Sequence, residues 1–120
     1  MNSRLYRAAR VLAGQWAGEA DPVPYSLAAS VSSVPGNGPV VYVVGGVTGD
    51  VAYVGSSMNG AASRLRRHLG EPTKAGAWRA VWLIPLLDDT PEIAMRRIEG
   101  RIGKRLRPTG TERLPRPFGP

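Results

Sequence analysis

The sequence predicts a small α+β domain: a short, mostly antiparallel three-stranded sheet flanked by helices, preceded by an extra N-terminal helix. Three observations carry this. Val40-Val41-Tyr42-Val43-Val44 and Val51-Ala52-Tyr53-Val54 are β-branched and aromatic runs joined by a glycine-rich connection. Ala77 to Leu86 forms a third, largely apolar run. The arginine-rich segments around these runs place their apolar residues at helical spacing. At 120 residues the chain supports one domain with one modest core. We divide it into an N-terminal helix and linker (1–38), the main domain (39–114) and an irregular tail (115–120).

In residues 3–17, Leu5, Ala8, Ala9, Leu12 and Trp16 form an apolar stripe with Arg4, Arg7 and Arg10 off it, which predicts an amphipathic helix. The simplest role for it is docking on the outer face of the domain; a basic arm along a phosphate backbone and an organelle transit peptide are the alternatives. Asp21-Pro22-Val23-Pro24 and Val34-Pro35-Gly36-Asn37-Gly38-Pro39 are turn and linker signals. Between them, Tyr25 to Val34 fits either a short helix or an extended segment.

Gly45-Gly46-Val47-Thr48-Gly49-Asp50 suits a tight reversal between the first two strands. Gly55 ends the second, and Ser56, Ser57 or Asn59 can cap a helix running to about Leu69, with Arg64 and His68 four apart on one face. Gly70 to Gly76 reads as a loop before the third strand, in which Trp78 and Trp82 are most simply core. Asp89 or Thr90 as cap, Pro91 in the first turn and Glu92 near the positive helix end start the last helix. Asp88 and Asp89 read as cap residues rather than metal ligands. The helix runs to about Leu106 and stops at Pro108. Gly100 and Gly103 each weaken it by roughly 1 kcal/mol relative to Ala, a cost explained if a neighbouring backbone or a phosphate approaches closely there.

Sixteen Lys and Arg against nine Asp and Glu give a formal net charge of +7, and only Lys74 and Lys104 are lysines. Arginine presents paired donors that match phosphate and a plane that stacks on bases, so the bias points to nucleic acid. With no cysteine, disulfides and thiolate metal sites are excluded. The arginines of the first segment break the apolar core a signal peptide needs, and no run approaches the roughly 20 apolar residues that span a bilayer. The expectation is a soluble cytoplasmic protein with no membrane partner, as monomer or homodimer.

Val41-Tyr42, followed at Tyr53-Val54-Gly55, resembles the paired Gly-Ile-Tyr and Tyr-Ile-Gly signatures of the GIY-YIG nuclease superfamily. The resemblance continues through Arg64-Leu65-Arg66-Arg67-His68, Trp78 to Leu86 and Ile98-Glu99-Gly100-Arg101, and covers roughly residues 39–111. It implies a metal-dependent endonuclease acting on DNA, with RNA as the alternative substrate. Tyr42 would then activate or position the attacking water, with Tyr53 orienting water or phosphate beside it. Arg64 would neutralise charge developing on the phosphoryl oxygens. Glu99 would be the single protein ligand to Mg²⁺ or Mn²⁺, and His68 would assist at the metal-bound water or the phosphate. Arg66, Arg67, Arg96, Arg97, Arg101, Lys104 and Arg105 would contact nucleic-acid phosphates. Val40-Val41 stands where the family has Gly-Ile, and Arg64 lies one residue further from Gly55 than in the family. Thr111 stands at the family's asparagine and would replace only one of the amide's hydrogen bonds. A binding module of the same fold with a weakened site is the second functional reading.

Overall fold

A computed structural model describes residues 1–27, 31 and 34–109. Thr111 and the 115–120 tail lie outside the described residues. Within them the chain forms an α+β domain with four helices and one four-stranded sheet, all of whose neighbouring strands are antiparallel.

Helix α1 (Ser3–Val11) starts where the Asn2 side chain accepts the Leu5 amide, 2.8 Å away. The predicted 3–17 helix ends early because Gly14 adopts a left-handed φ of +58°, and Gly14–Trp16 makes a short 3-10 turn instead. The helix is docked: Tyr6, Ala9 and Ala13 are buried, and the Tyr6 hydroxyl donates to the Leu83 carbonyl at 2.6 Å.

Strands β1 (Tyr25–Ser26), β2 (Val40–Gly46), β3 (Val51–Ser57) and β4 (Trp78–Pro85) stand in the order β1-β4-β2-β3. The three predicted strands form the body of the sheet. The fourth corrects the three-strand expectation: Tyr25 and Ser26 pair with Val81 and Ala80 on the open edge of β4. A two-residue strand between proline-flanked turns has no periodicity to announce it.

The alternation of β2 divides the core. Val41 and Val43 face α1 and helix α4 (Glu92–Leu106), packing with Val54, Ile84, Met95, Ile98 and Ile102. Val40, Tyr42 and Val44 face the other side, with Leu65 of helix α2 (Ala62–Leu69), Trp78, Val81 and Leu83. Burying about 1.5–3 kcal/mol worth of side chain at each large apolar position is what holds helices to both faces.

Four local expectations change. Residues 70–76 are not all loop: Pro72–Ala77 form helix α3, with Pro at the N-terminal position where its missing N–H costs nothing. Ser56 and Ser57 belong to β3, and α2 has Ala61 at its N-cap position with no side-chain cap; Asn59 instead donates its amide to the Ser57 hydroxyl at 3.2 Å. Neither Asp89 nor Thr90 caps α4, whose cap position is Pro91; the Thr90 hydroxyl donates to the Leu87 carbonyl at 2.6 Å. Nor does a neighbouring backbone among the described residues approach Gly100 or Gly103, since a Cβ on either would meet nothing within 4 Å. The helix ends as expected before Pro108, with Arg107 in a left-handed conformation at φ 51°.

Candidate active site

The site is built around β3, the edge strand beyond β2. Pairing sets Tyr42 opposite Gly55, and alternation puts Tyr53 on the same face two residues earlier. A Cβ at Gly55 would lie 2.6 Å from Tyr42 Cζ and Oη and 2.8 Å from Tyr53 Cε2. Glycine is therefore what lets both rings cross the strand here. The two rings sit 6.3 Å apart between centroids.

On the opposite face of β3, Ser56 points toward α4 and its hydroxyl donates to Glu99 Oε1. A cleft of about 520 Å³ joins the two sides of the strand. Tyr42, Tyr53, Arg64 and Glu99 all line it, together with Ser56, Ser57, Asn59, Ser63, Glu92 and Arg96. Four of the five residues assigned to catalysis from the sequence thus meet in one place.

His68 is the fifth and does not line the cleft. Four residues beyond Arg64, it lies behind Tyr53, 4.9 Å from that ring and 5.2 Å from Trp78. Lys74 Nζ is 2.9 Å from His68 Nδ1 and 5.7 Å from the Trp78 ring centroid. An ammonium donates only, so Nδ1 accepts and the remaining proton sits on Nε2. Burial lowers the His68 pKa, and the Lys74 charge lowers it further. At neutral pH His68 is therefore an uncharged ring packed against Tyr53.

Tyr42 is buried, at 1% exposure, and burial pushes its phenol far above the ordinary range. Tyr53 and Glu99 push the same way, while Arg64 and Arg67 pull it down by less. The phenol is a hydrogen-bond donor at neutral pH.

The assigned phosphate-contacting cations separate into two groups. Arg96 lines the cleft, and Arg67 is near enough for its charge to act on Tyr42. Arg97, Arg101, Lys104 and Arg105 are exposed and none lines the cleft. At about 100° per residue they lie roughly 110–170° around α4 from the stripe formed by Glu92, Arg96 and Glu99. Arg66 is likewise exposed and outside the cleft.

Sequence reasoning missed Ser56 as a site residue, treating it as a cap. Strand alternation was the available signal, since Val54 faces α4 and Ser56 must face it too. Glu92 was assigned only to the helix start; it is paired with Arg96, with Arg96 Nη2 2.9 Å from Glu92 Oε2.

The cleft offers two carboxylates, Glu99 and the Arg96-paired Glu92, and several hydroxyl oxygens, a donor set that suits a hard divalent cation. The described residues contain no cluster of three or more His, Cys, Asp or Glu arranged to hold a metal. A cation there would rest on Glu99 and complete its shell from water and substrate oxygens, as Mg²⁺ does readily. Among the described residues no helix is long and apolar enough to cross a membrane. Compared with known proteins, the chain matches no family model, no curated protein and no solved structure.

Proposed function

We propose that this protein is a divalent-metal-dependent endonuclease of the GIY-YIG type that hydrolyses DNA phosphodiester bonds. One observation carries the reading: Tyr42 from β2, Tyr53 from β3, Arg64 from α2 and Glu99 from α4 converge on a single polar cleft. Stability alone does not ask for that convergence. The arginine is exposed, and the half-buried Glu99 accepts the Ser56 hydroxyl.

In this reading Arg64 aims its guanidinium at the scissile phosphate and neutralises charge as it develops. Tyr42, held protonated by burial, orients the attacking water through its hydroxyl rather than taking the proton itself. Tyr53 forms the adjoining wall and His68 fixes Tyr53 from behind, as a positioning residue. Glu99 would hold Mg²⁺ or Mn²⁺, with Ser56 restricting the carboxylate's orientation. When bound, the cation polarises the phosphate and stabilises the leaving oxygen.

A second reading, a nucleic-acid-binding module that no longer cuts, draws support from the same buried, high-pKa phenol. A cleavage assay on supercoiled plasmid with Mg²⁺, Mn²⁺ or EDTA separates the two. Metal-dependent nicking by the wild type, lost in Glu99→Ala and reduced in Tyr42→Phe, supports the nuclease. Salt-sensitive binding without cutting, on DNA and RNA substrates alike, supports the module.

A further inference from the structure

Helix α4 divides its charges between two faces. Both of its carboxylates, Glu92 and Glu99, line the cleft, along with Arg96. Arg97, Arg101, Lys104 and Arg105 stand on the outward side, all exposed. The ion pairs among the described residues are Lys74–Glu71 and Arg96–Glu92, so none of these four cations has a carboxylate partner there. Helix α1, packed over the same sheet face, adds exposed Arg4 and Arg7 and contains no acidic residue.

We infer that this outer face of α4 is a second phosphate-binding surface, which grips nucleic-acid backbone other than the stretch entering the cleft. The inference rests on the nucleic-acid half of the function proposed above. Arg97 to Arg105 spans eight residue-to-residue steps, about 12 Å of helix at 1.5 Å per residue. A duplex presents one charge per roughly 1.7 Å of its axis, so four side chains over that length meet more phosphates than they can neutralise. Like charges at spacings of three and four residues repel one another in the absence of a ligand, and phosphate removes that repulsion. Three of the four are arginines, whose fork fits phosphate with two parallel donors.

An anionic membrane surface is the competing occupant, but it asks for an apolar face to insert. Ile93 is the one large apolar side chain exposed on α4, which is too little for interfacial anchoring.

The test compares the wild type with the quadruple variant R97Q/R101Q/K104Q/R105Q, its fold checked by circular dichroism. Binding to a 30-base-pair duplex is measured by fluorescence anisotropy across a salt series, and binding to phosphatidylserine vesicles by co-sedimentation. With each contact contributing about −0.9 to the slope of log K against log salt, the variant's slope falls by roughly 3 to 4. Under the nuclease reading KM rises while kcat holds. An unchanged slope with intact wild-type duplex binding overturns this surface and leaves the cleft reading standing. Loss of vesicle binding with duplex binding unchanged overturns it in favour of a membrane. A wild type that binds no duplex overturns both readings together.

Discussion

Gly55 lies directly across the β2–β3 ladder from Tyr42, and a single methyl group on its Cα would stand 2.6 Å from the phenol carbon and oxygen. The two tyrosines of the cleft therefore depend on a residue that contributes no side chain.

Gly55→Ala is accordingly expected to destabilise the domain by about 1–3 kcal/mol, the usual cost of forcing extra volume into a packed site. The ring it displaces is the one that faces the cleft, so cleavage falls further than stability requires. Urea unfolding gives the first quantity. Activity measured well below the unfolding midpoint gives the second, and an unshifted midpoint would show that the rings have room to move.

Gly100 makes the opposite case. It is exposed, helical and surrounded by open space where a Cβ would go. Gly100→Ala should raise stability by about 1 kcal/mol through helix propensity and a less flexible unfolded chain. Thermal unfolding checks it; a lower midpoint would mean that the added methyl group does meet a neighbour at this position.

Tyr42 should titrate far later than a free phenol. Because its folded pKa is raised, the buried protonated form contributes stability below pH 10. That contribution is lost as pH rises from about 10, the ordinary phenol value, toward the raised folded pKa. Ultraviolet difference titration should show a late-ionising phenol that disappears in Tyr42→Phe. A simple phenolate wave near pH 10 assigned to Tyr42 would contradict the burial argument and restore a base role.

His68 runs in the other direction. Its folded pKa is lowered, first by burial and then by Lys74, so the unfolded chain binds its proton more readily than the folded one. Stability is unaffected well above the unfolded value of about 6.5 and falls as pH drops through that value toward the lowered folded pKa. Lys74→Met should move the His68 pKa upward while burial still keeps it below the free value. An NMR titration of the single histidine reads this directly; no movement would show that Lys74 does not face the ring in solution.

Much of this architecture was legible in the order of residues. β-branched and aromatic runs marked β2 and β3, and apolar spacing with Pro108 bounded α4, because strand propensity and burial of one helix face leave local traces. The candidate residues Tyr42, Tyr53, Arg64 and Glu99 were named from the resemblance of their motifs to the GIY-YIG signatures. What spacing could not supply was depth and direction. That Tyr42 is sealed under α2, that His68 backs Tyr53 instead of facing the cleft, and that Ser56 holds Glu99 all depend on residues far apart in the chain. Tyr25–Ser26 became a strand only because β4 offered it an unpaired edge. The segregation of α4 into an acidic cleft side and a cationic outer side likewise follows from which stripe the core claims. Local sequence determines which elements can form, since propensity and periodicity are local. Pairing register and helix docking decide which side chains meet and how dry they are, and so what chemistry they can perform.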